Sequence, residues 1–273
     1  MSIEKLAISR RTVLTAAAAG SALAASGWMW PRTARAATTA LEADEKLVTT
    51  NPVTYRFKIG GIEAIAISDS QLEIKPVHPI FAPEAKAEEV KAILEANFKA
   101  TDAARPEVNV LLLRKGSDVV LIDTGTGKGG RLQAGLASVG VKASDIKLIA
   151  MTHFHGDHFG GLTNEAGAFA FPGARVVAHK NEVEYWKTVP SFGDLALPDE
   201  AKAGWKAGAG NAIKAIEGKL DLVKGGDKPL PWLEFVETTG HTPGHCSLRT
   251  SAGAEQASVF GAVGHHPVLT FQR

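Results

Sequence analysis

The sequence predicts a single layered α/β domain across residues 53–273. Three observations predict it. Apolar or alternating runs of strand length recur along the segment, with helix-period stretches between them in both halves. Two histidine-bearing turns each follow directly on such a run: His153-Phe154-His155-Gly156-Asp157-His158 after residues 146–152, and Gly240-His241-Thr242-Pro243-Gly244-His245 after residues 233–238. No internal repeat and no low-complexity linker interrupts the chain after residue 52.

The elements follow in order. Residues 53–59 and 62–68 flank Gly60-Gly61 and read as a hairpin. In residues 83–98, Ala87, Val90, Ile93, Leu94 and Phe98 share one apolar face with Glu and Lys between them, which predicts a helix. Residues 108–113 and 119–122 are strands joined by a turn at Lys115-Gly116-Ser117. Residues 132–139 form a short helix ended by Gly140, and residues 146–152 are the buried strand that runs into the first histidine turn. Residues 175–178 are a strand and 181–187 the helix after it. Several glycines weaken the helical segment 201–217. Residues 220–223, 233–238, 247–250 and 258–260 are short strands.

The N-terminus is a separate unit. Arg10-Arg11 precede an alanine-rich apolar stretch, and Ala34-Arg35-Ala36 gives a small-x-small cleavage pattern with Ala37 as the mature N-terminus. Residues 1–36 therefore resemble an export signal of the twin-arginine (Tat) type. This predicts passage through the Tat export machinery and a periplasmic or secreted mature chain. The apolar run is marginal in length and rich in Ala, Gly, Ser and Thr, so no stable membrane anchor is expected. Residues 37–52 are small and polar, and are expected to form a loose arm.

Composition excludes several classes. The formal net charge is +1 and no Lys/Arg run stands out in the body, which argues against a nucleic-acid surface. The single cysteine, Cys246, excludes an intramolecular disulfide and thiolate-based zinc or iron–sulfur sites. A lone cysteine at a strand start is expected to be a small packed residue. Oligomeric state is left open.

Histidine is scarce, 9 of 273 residues, yet three fall within the six positions 153–158. Neutral imidazole and carboxylate are the usual ligands of zinc and related divalent metals. Such groups packed together are costly to bury unless something binds them. The second turn adds His241 and His245, and its Pro and Gly fix a sharp bend that can aim a side chain.

These two turns, with Val120-Leu121-Ile122-Asp123-Thr124-Gly125, resemble the metallo-β-lactamase superfamily over essentially all of residues 53–273. Val108-Asn109-Val110, Glu182-Val183-Glu184-Tyr185-Trp186 and His266-Pro267-Val268 make the chain similar to the exported branch that includes methyl parathion hydrolase and related lactonases. The resemblance implies a four-layer αββα sandwich with two metals at one edge of the paired sheets. By motif position, His153, His155 and His245 would hold a first zinc, and Asp157 and His158 a second. Asp123 would hold a ligand histidine in orientation, and His241 would be structural or support the ligands from behind.

The pattern also departs from the family's. The aspartate that bridges the two metals is replaced by Ala262 when Phe260-Gly261-Ala262-Val263-Gly264-His265-His266-Pro267 is aligned on Gly261 and His266-Pro267. The family's last histidine ligand is expected beyond Arg273, so the fold is expected to be C-terminally incomplete. The first site is expected to hold zinc, and the second to be weak or empty; His265 sits where a replacement ligand could reach, but is expected to be a solvated loop histidine. The implied activity is hydrolysis of a small-molecule ester, lactone or phosphotriester by a metal-bound hydroxide, with Asp157 as the base. Two alternatives stand beside it: a metal-binding but catalytically impaired relative, and a single-iron persulfide dioxygenase. Of Phe154, Phe159, Trp186, Trp205 and Trp232, one or two are expected to touch substrate.

Overall fold

Apolar residues recur with period two along residues 54–71, and this builds the first hairpin. Strand β1 (Thr54–Ile59) pairs antiparallel with β2 (Ile62–Gln71), closing Ile59 on Ile62. Gly60 sits at φ +54, and a Cβ there would lie 2.8 Å from the Cβ of Ala252, so the turn requires glycine. A computed structural model describes residues 53–188, 192 and 198–270 of the chain. The segments expected to be an export signal (1–36) and a loose arm (37–52) lie outside the described residues.

The meander continues antiparallel through β3 (Glu107–Lys115) and β4 (Asp118–Ile122), then turns parallel through β5 (Leu148–Ala150), β6 (Arg175–His179) and β7 (Leu220–Val223). The seven strands lie in chain order in one sheet. Parallel neighbours need crossovers. These hold α2 (Leu132–Ser138) before β5, the one-turn α3 (Gly156–Phe159) before β6, and α4 (Lys180–Lys187) with α5 (Asp199–Ala215) before β7. Helix α1 (Ala87–Ala96) lies between β2 and β3. A second, three-stranded antiparallel sheet is ordered β10 (Glu255–Val259), β9 (Cys246–Ala252), β8 (Leu233–Glu237).

The large sheet is buried on both faces. Ile65, Ile67, Val110, Leu112 and Leu121 point to one face and pack with Leu136, Val183, Trp186 and Ile213 of the helices. Ile62, Ala64, Leu113, Val120 and Ile122, one residue out of step, point to the other and pack against Leu233, Phe235 and Leu248 of the small sheet. The described residues therefore form a helical layer, a large sheet and a small sheet, a mixed α/β architecture of the metallo-β-lactamase kind. No helical residue belongs to the cluster between the sheets among the described residues. The outward side of the small sheet carries a 2.6 Å Arg249–Glu234 ion pair.

Two helix ends differ in an instructive way. Gly140 closes α2 at φ +72, with Val141 N–H donating to the Leu136 carbonyl. Helix α1 ends the same way on Phe98 at φ +56, with Lys99 N–H donating to the Leu94 carbonyl. The left-handed position swings the Phe98 ring away from the face it was expected to join, and Phe98 is 97% exposed. Val90 and Leu94 are the buried anchors of the helix against Val77, Ala82 and Leu269, with Ile93 partly buried beside them.

Candidate metal centre

The first histidine turn leaves the C-terminal end of β5, the edge where sites gather in sheets of this kind. It is helical from Gly156, so residues 156–159 form the turn α3 where the sequence suggested only a loop. The helical spacing returns His158 toward β4, where its carbonyl accepts from Thr124 N–H at 2.7 Å. Asp123, at the end of β4 and at φ +61, fixes the base of the turn. Its two oxygens accept from Thr152 N–H (2.8 Å) and the Thr152 hydroxyl (2.7 Å). With its proton committed there, Thr152 Oγ accepts from His153 Nδ1 at 3.0 Å, which leaves the lone pair of His153 Nε2 facing the site. Asp123 thus orients His153 through Thr152.

His153 Nε2 lies 3.1 Å from His155 Nδ1, and His155 Nδ1 lies 2.8 Å from His241 Nε2. These three ring nitrogens all fall within 4.8 Å of one another. Burial pushes His153 well below the usual imidazole range, and the neighbouring histidines add to this. Burial likewise lowers His155 to about 4, against an opposing pull from Asp157, and His241 to about 2 with help from the charge of His155. All three rings are therefore neutral at pH 7, the form that binds a metal. Three neutral ring nitrogens converging on one point are a donor set that suits a divalent ion such as zinc.

His158 lies beside the trio, its ring 4.1 Å from that of His153, and it is engaged with two carboxylates. His158 Nδ1 is 2.8 Å from Asp123 Oδ2 and its Nε2 is 3.4 Å from Asp157 Oδ2. Burial alone would lower His158, but the Asp123 and Asp157 carboxylates outweigh it and raise the imidazole to about 10. Burial would raise Asp157, yet the His158 hydrogen bond and charge hold it at about 2. Asp123 and Asp157 thus both face the His158 imidazole.

His245 is buried beneath the second turn. Its Nδ1 donates to the Thr238 carbonyl at 3.1 Å, and its Nε2 accepts from Ala262 N–H at 3.0 Å. His265 stacks near His241, with ring centroids 4.5 Å apart. Cys246 is fully buried and its N–H donates to the Thr152 carbonyl. Burial pushes its thiol up to about 12, which matches a packed residue and not a ligand.

One residue of the site was not legible in the sequence. Glu182, on α4, is 1% exposed and accepts four hydrogen bonds. Its Oε1 takes Phe154 N–H (2.9 Å) and Trp186 Nε1–H (2.8 Å), and its Oε2 takes the Thr242 hydroxyl (2.6 Å) and Gly244 N–H (3.1 Å). One carboxylate therefore ties both histidine turns to one helix. Glutamate on a helix normally reads as a solvated face, and here only the surplus of donors around it gives the role away.

The trio opens into a cleft of about 1310 Å³ lined by Ile80, Phe81, Leu111, Trp186, Trp205 and Phe260 among others. Trp186 and Trp205 lie 5.8 and 5.4 Å from the His155 ring. Of the five aromatics singled out above, these two line the cleft. Phe154 and Trp232 belong to the buried clusters, and Phe159 packs against Phe154.

Comparison with known proteins agrees with this architecture. The family model described as "Metallo-beta-lactamase superfamily" matches residues 105–257. Ribonuclease Z of Nocardia farcinica is 52% identical over 54 residues, which are 20% of this chain and 16% of that protein. The probable metallo-hydrolase YybB of Bacillus subtilis is 26% identical over 155 residues, 56% of this chain and 61% of that one. The chain thus spans less than two thirds of these curated relatives. Among solved structures, AidC, a dizinc quorum-quenching lactonase in complex with a product, superposes with a TM-score of 0.75 at 28% identity. That likeness covers 80% of this chain and 77% of AidC.

Proposed function

Since the chain belongs to the metallo-beta-lactamase superfamily, we propose that it is a metal-dependent hydrolase of a small ester or lactone carrying an apolar portion. The observation that carries this reading is the convergence of the His153, His155 and His241 ring nitrogens at the floor of an aromatic-walled cleft. The likeness to the lactonase AidC supports the lactone over a phosphotriester, and zinc is the metal that the donor set suits best. A likeness to methyl parathion hydrolase remains part of the proposal only through the shared fold.

A divalent metal, when bound, supplies a Lewis-acidic centre that activates water and polarises the carbonyl to be attacked. His153 Nε2 and His155 Nδ1 would hold it together with a histidine of the second turn. Asp123 keeps His153 Nε2 aimed by way of Thr152. Asp157 lines the cleft and is the carboxylate we assign as base toward an attacking water, with its Oδ2 3.4 Å from His158 Nε2. Trp205, backed by the buried Trp186, forms the wall beside His155 that takes the apolar part of the substrate. The aligned position of the bridging aspartate is Ala262, and Asp157 and His158 are already paired, which supports a single-metal site with a weak or empty second position.

The proposal extends to the N-terminal segment. Arg10-Arg11, the apolar stretch and Ala34-Arg35-Ala36 support Tat export and a periplasmic or secreted mature chain beginning at Ala37. Among the described residues no helix is long and apolar enough to cross a membrane.

The test is turnover by the purified mature chain loaded with zinc, against an N-acyl homoserine lactone, an aryl ester and an aryl phosphotriester. Zinc-dependent lactone opening, abolished by a chelator, is the expected result. Stoichiometric zinc with no turnover on any of the three would replace this reading with that of a catalytically impaired relative, which the Ala262 amide on His245 favours. Bound iron with oxygen uptake on a persulfide would replace it with the dioxygenase.

A further inference from the structure

Strand β3 runs along the floor of the cleft and carries Val108-Asn109-Val110. Val108 and Val110 are buried, and Asn109 between them is exposed. Successive side chains of a strand alternate in direction, so Asn109 shares its face with Leu111. Both line the cleft. Leu111 is paired with Ile122 of β4, which places Asn109 two residues further toward the end of β4 that leads into Asp123. Two strand spacings separate β3 from β5, so the chain entering the His153 turn lies roughly 10 Å across the sheet from Asn109.

The Asn109 carboxamide has no hydrogen-bond partner among the described residues. Other polar side chains along the cleft are engaged. Gln71 donates to Glu107 at 2.6 Å, Thr126 to Asp69 at 2.8 Å and Thr242 to Glu182 at 2.6 Å. The Ser258 hydroxyl is also without a partner among the described residues, but it stands on β10, at the edge of the small sheet. Strand β3 has a neighbour on each side, so Asn109 is fixed in place. Leu72, Ile74, Ile80 and Phe81 line the same cleft. A few placed polar groups in an otherwise apolar pocket set the orientation of a ligand. A carboxamide both donates and accepts, and it carries no charge.

We propose that Asn109 recognises a neutral hydrogen-bonding group of the substrate, a secondary amide, set apart from the carbonyl that is attacked. The apolar portion of the substrate then packs against Ile80 and Phe81. This rests on the reading that the cleft takes an ester or lactone, and it narrows that class to substrates whose side chain is not methylenes alone. Asn109 acts on specificity and holds no metal.

Two γ-lactones of equal side-chain length test it, one with a secondary amide in the side chain and one with methylenes only. Both are offered to the zinc-loaded mature chain, with an aryl ester as a control. The parent is expected to prefer the amide lactone by about five- to tenfold in kcat/KM, the worth of one hydrogen bond. Asn109→Leu is expected to lose that preference while its turnover of the methylene lactone and its zinc content stay within about twofold of the parent. Because Asn109 is exposed, the variant keeps the fold, which circular dichroism checks. A parent with no preference, or an Asn109→Leu variant that loses both lactones equally, overturns the proposal and leaves the metal-dependent hydrolase standing. Turnover of the aryl ester with neither lactone opened does the same. A parent that turns over none of the three overturns both.

Discussion

The Thr242 hydroxyl donates a 2.6 Å hydrogen bond to the carboxylate of Glu182, sixty residues away in the chain. The same carboxylate accepts Phe154 N–H, so the spacing between the two histidine turns is set by one side chain on α4. The distance between His155 and His241 is therefore a property of Glu182 as much as of either histidine. Glu182→Gln tests this. An amide NH2 cannot accept the two donors that now share one oxygen, so at least one buried donor loses its partner. The loss is expected to be about 2–3 kcal/mol in a urea titration, with weaker zinc binding alongside it. Unchanged stability would remove Glu182 from this role.

Gly244 makes the same junction sterically. A Cβ there would lie 2.1 Å from the backbone nitrogen of Glu182, and backbone cannot step aside. Gly244→Ala is expected to cost more than about 3 kcal/mol or to leave the protein insoluble. Gly204, inside α5, has nothing within 4 Å of its Cβ position. Gly204→Ala should therefore raise stability by about 1 kcal/mol through helix propensity alone. Thermal melts of the two variants side by side give opposite signs if these contacts are right.

Asp123 reaches the histidine cluster through Thr152 and His158. Asp123→Asn keeps the shape but removes one acceptor and frees His153 Nδ1 from its fixed partner. Zinc affinity is expected to fall by about 10–100-fold, measured by competition with a chromophoric chelator. An affinity equal to that of the parent would show that His153 is held by packing alone.

Thr250 points between the sheets, and its hydroxyl is buried with no hydrogen-bond partner among the described residues. A buried donor without a partner costs about 1–3 kcal/mol. Thr250→Val keeps the volume and removes that cost. A rise in melting temperature of about 2–4 °C is expected for a domain of this size, and a fall would mean that the hydroxyl is satisfied in solution.

The proposed export signal has a direct readout. Expressed with its native N-terminus, the exported chain should begin at Ala37 by mass spectrometry, and replacing Arg10-Arg11 with Lys-Lys should hold it in the cytoplasm. An exported chain that retains residue 1 would contradict cleavage.

Most of the fold was legible because strand and helix periods are local. The run at 220–223 is β7 to the residue, and most other strand boundaries moved by only one or two. Phe98 escaped because its place on an apolar face depended on the helix continuing, whereas α1 ends at Ala96 and Phe98 is itself the left-handed residue of the closing turn. The helical turn at Gly156 escaped for a similar reason, since the histidine pattern there dominates the reading.

The sequence by itself determined the family, the α/β order of elements and the two histidine turns, because each is written in a run of a few neighbouring residues. Only the tertiary structure decided which histidines converge, that Asp123 and Asp157 share His158, that Ala262 covers His245, and that Glu182 joins the two turns. Those are contacts between residues tens of positions apart. Their distances are set by how α4 and the 260–262 turn pack on the sheets, and no local pattern records that packing.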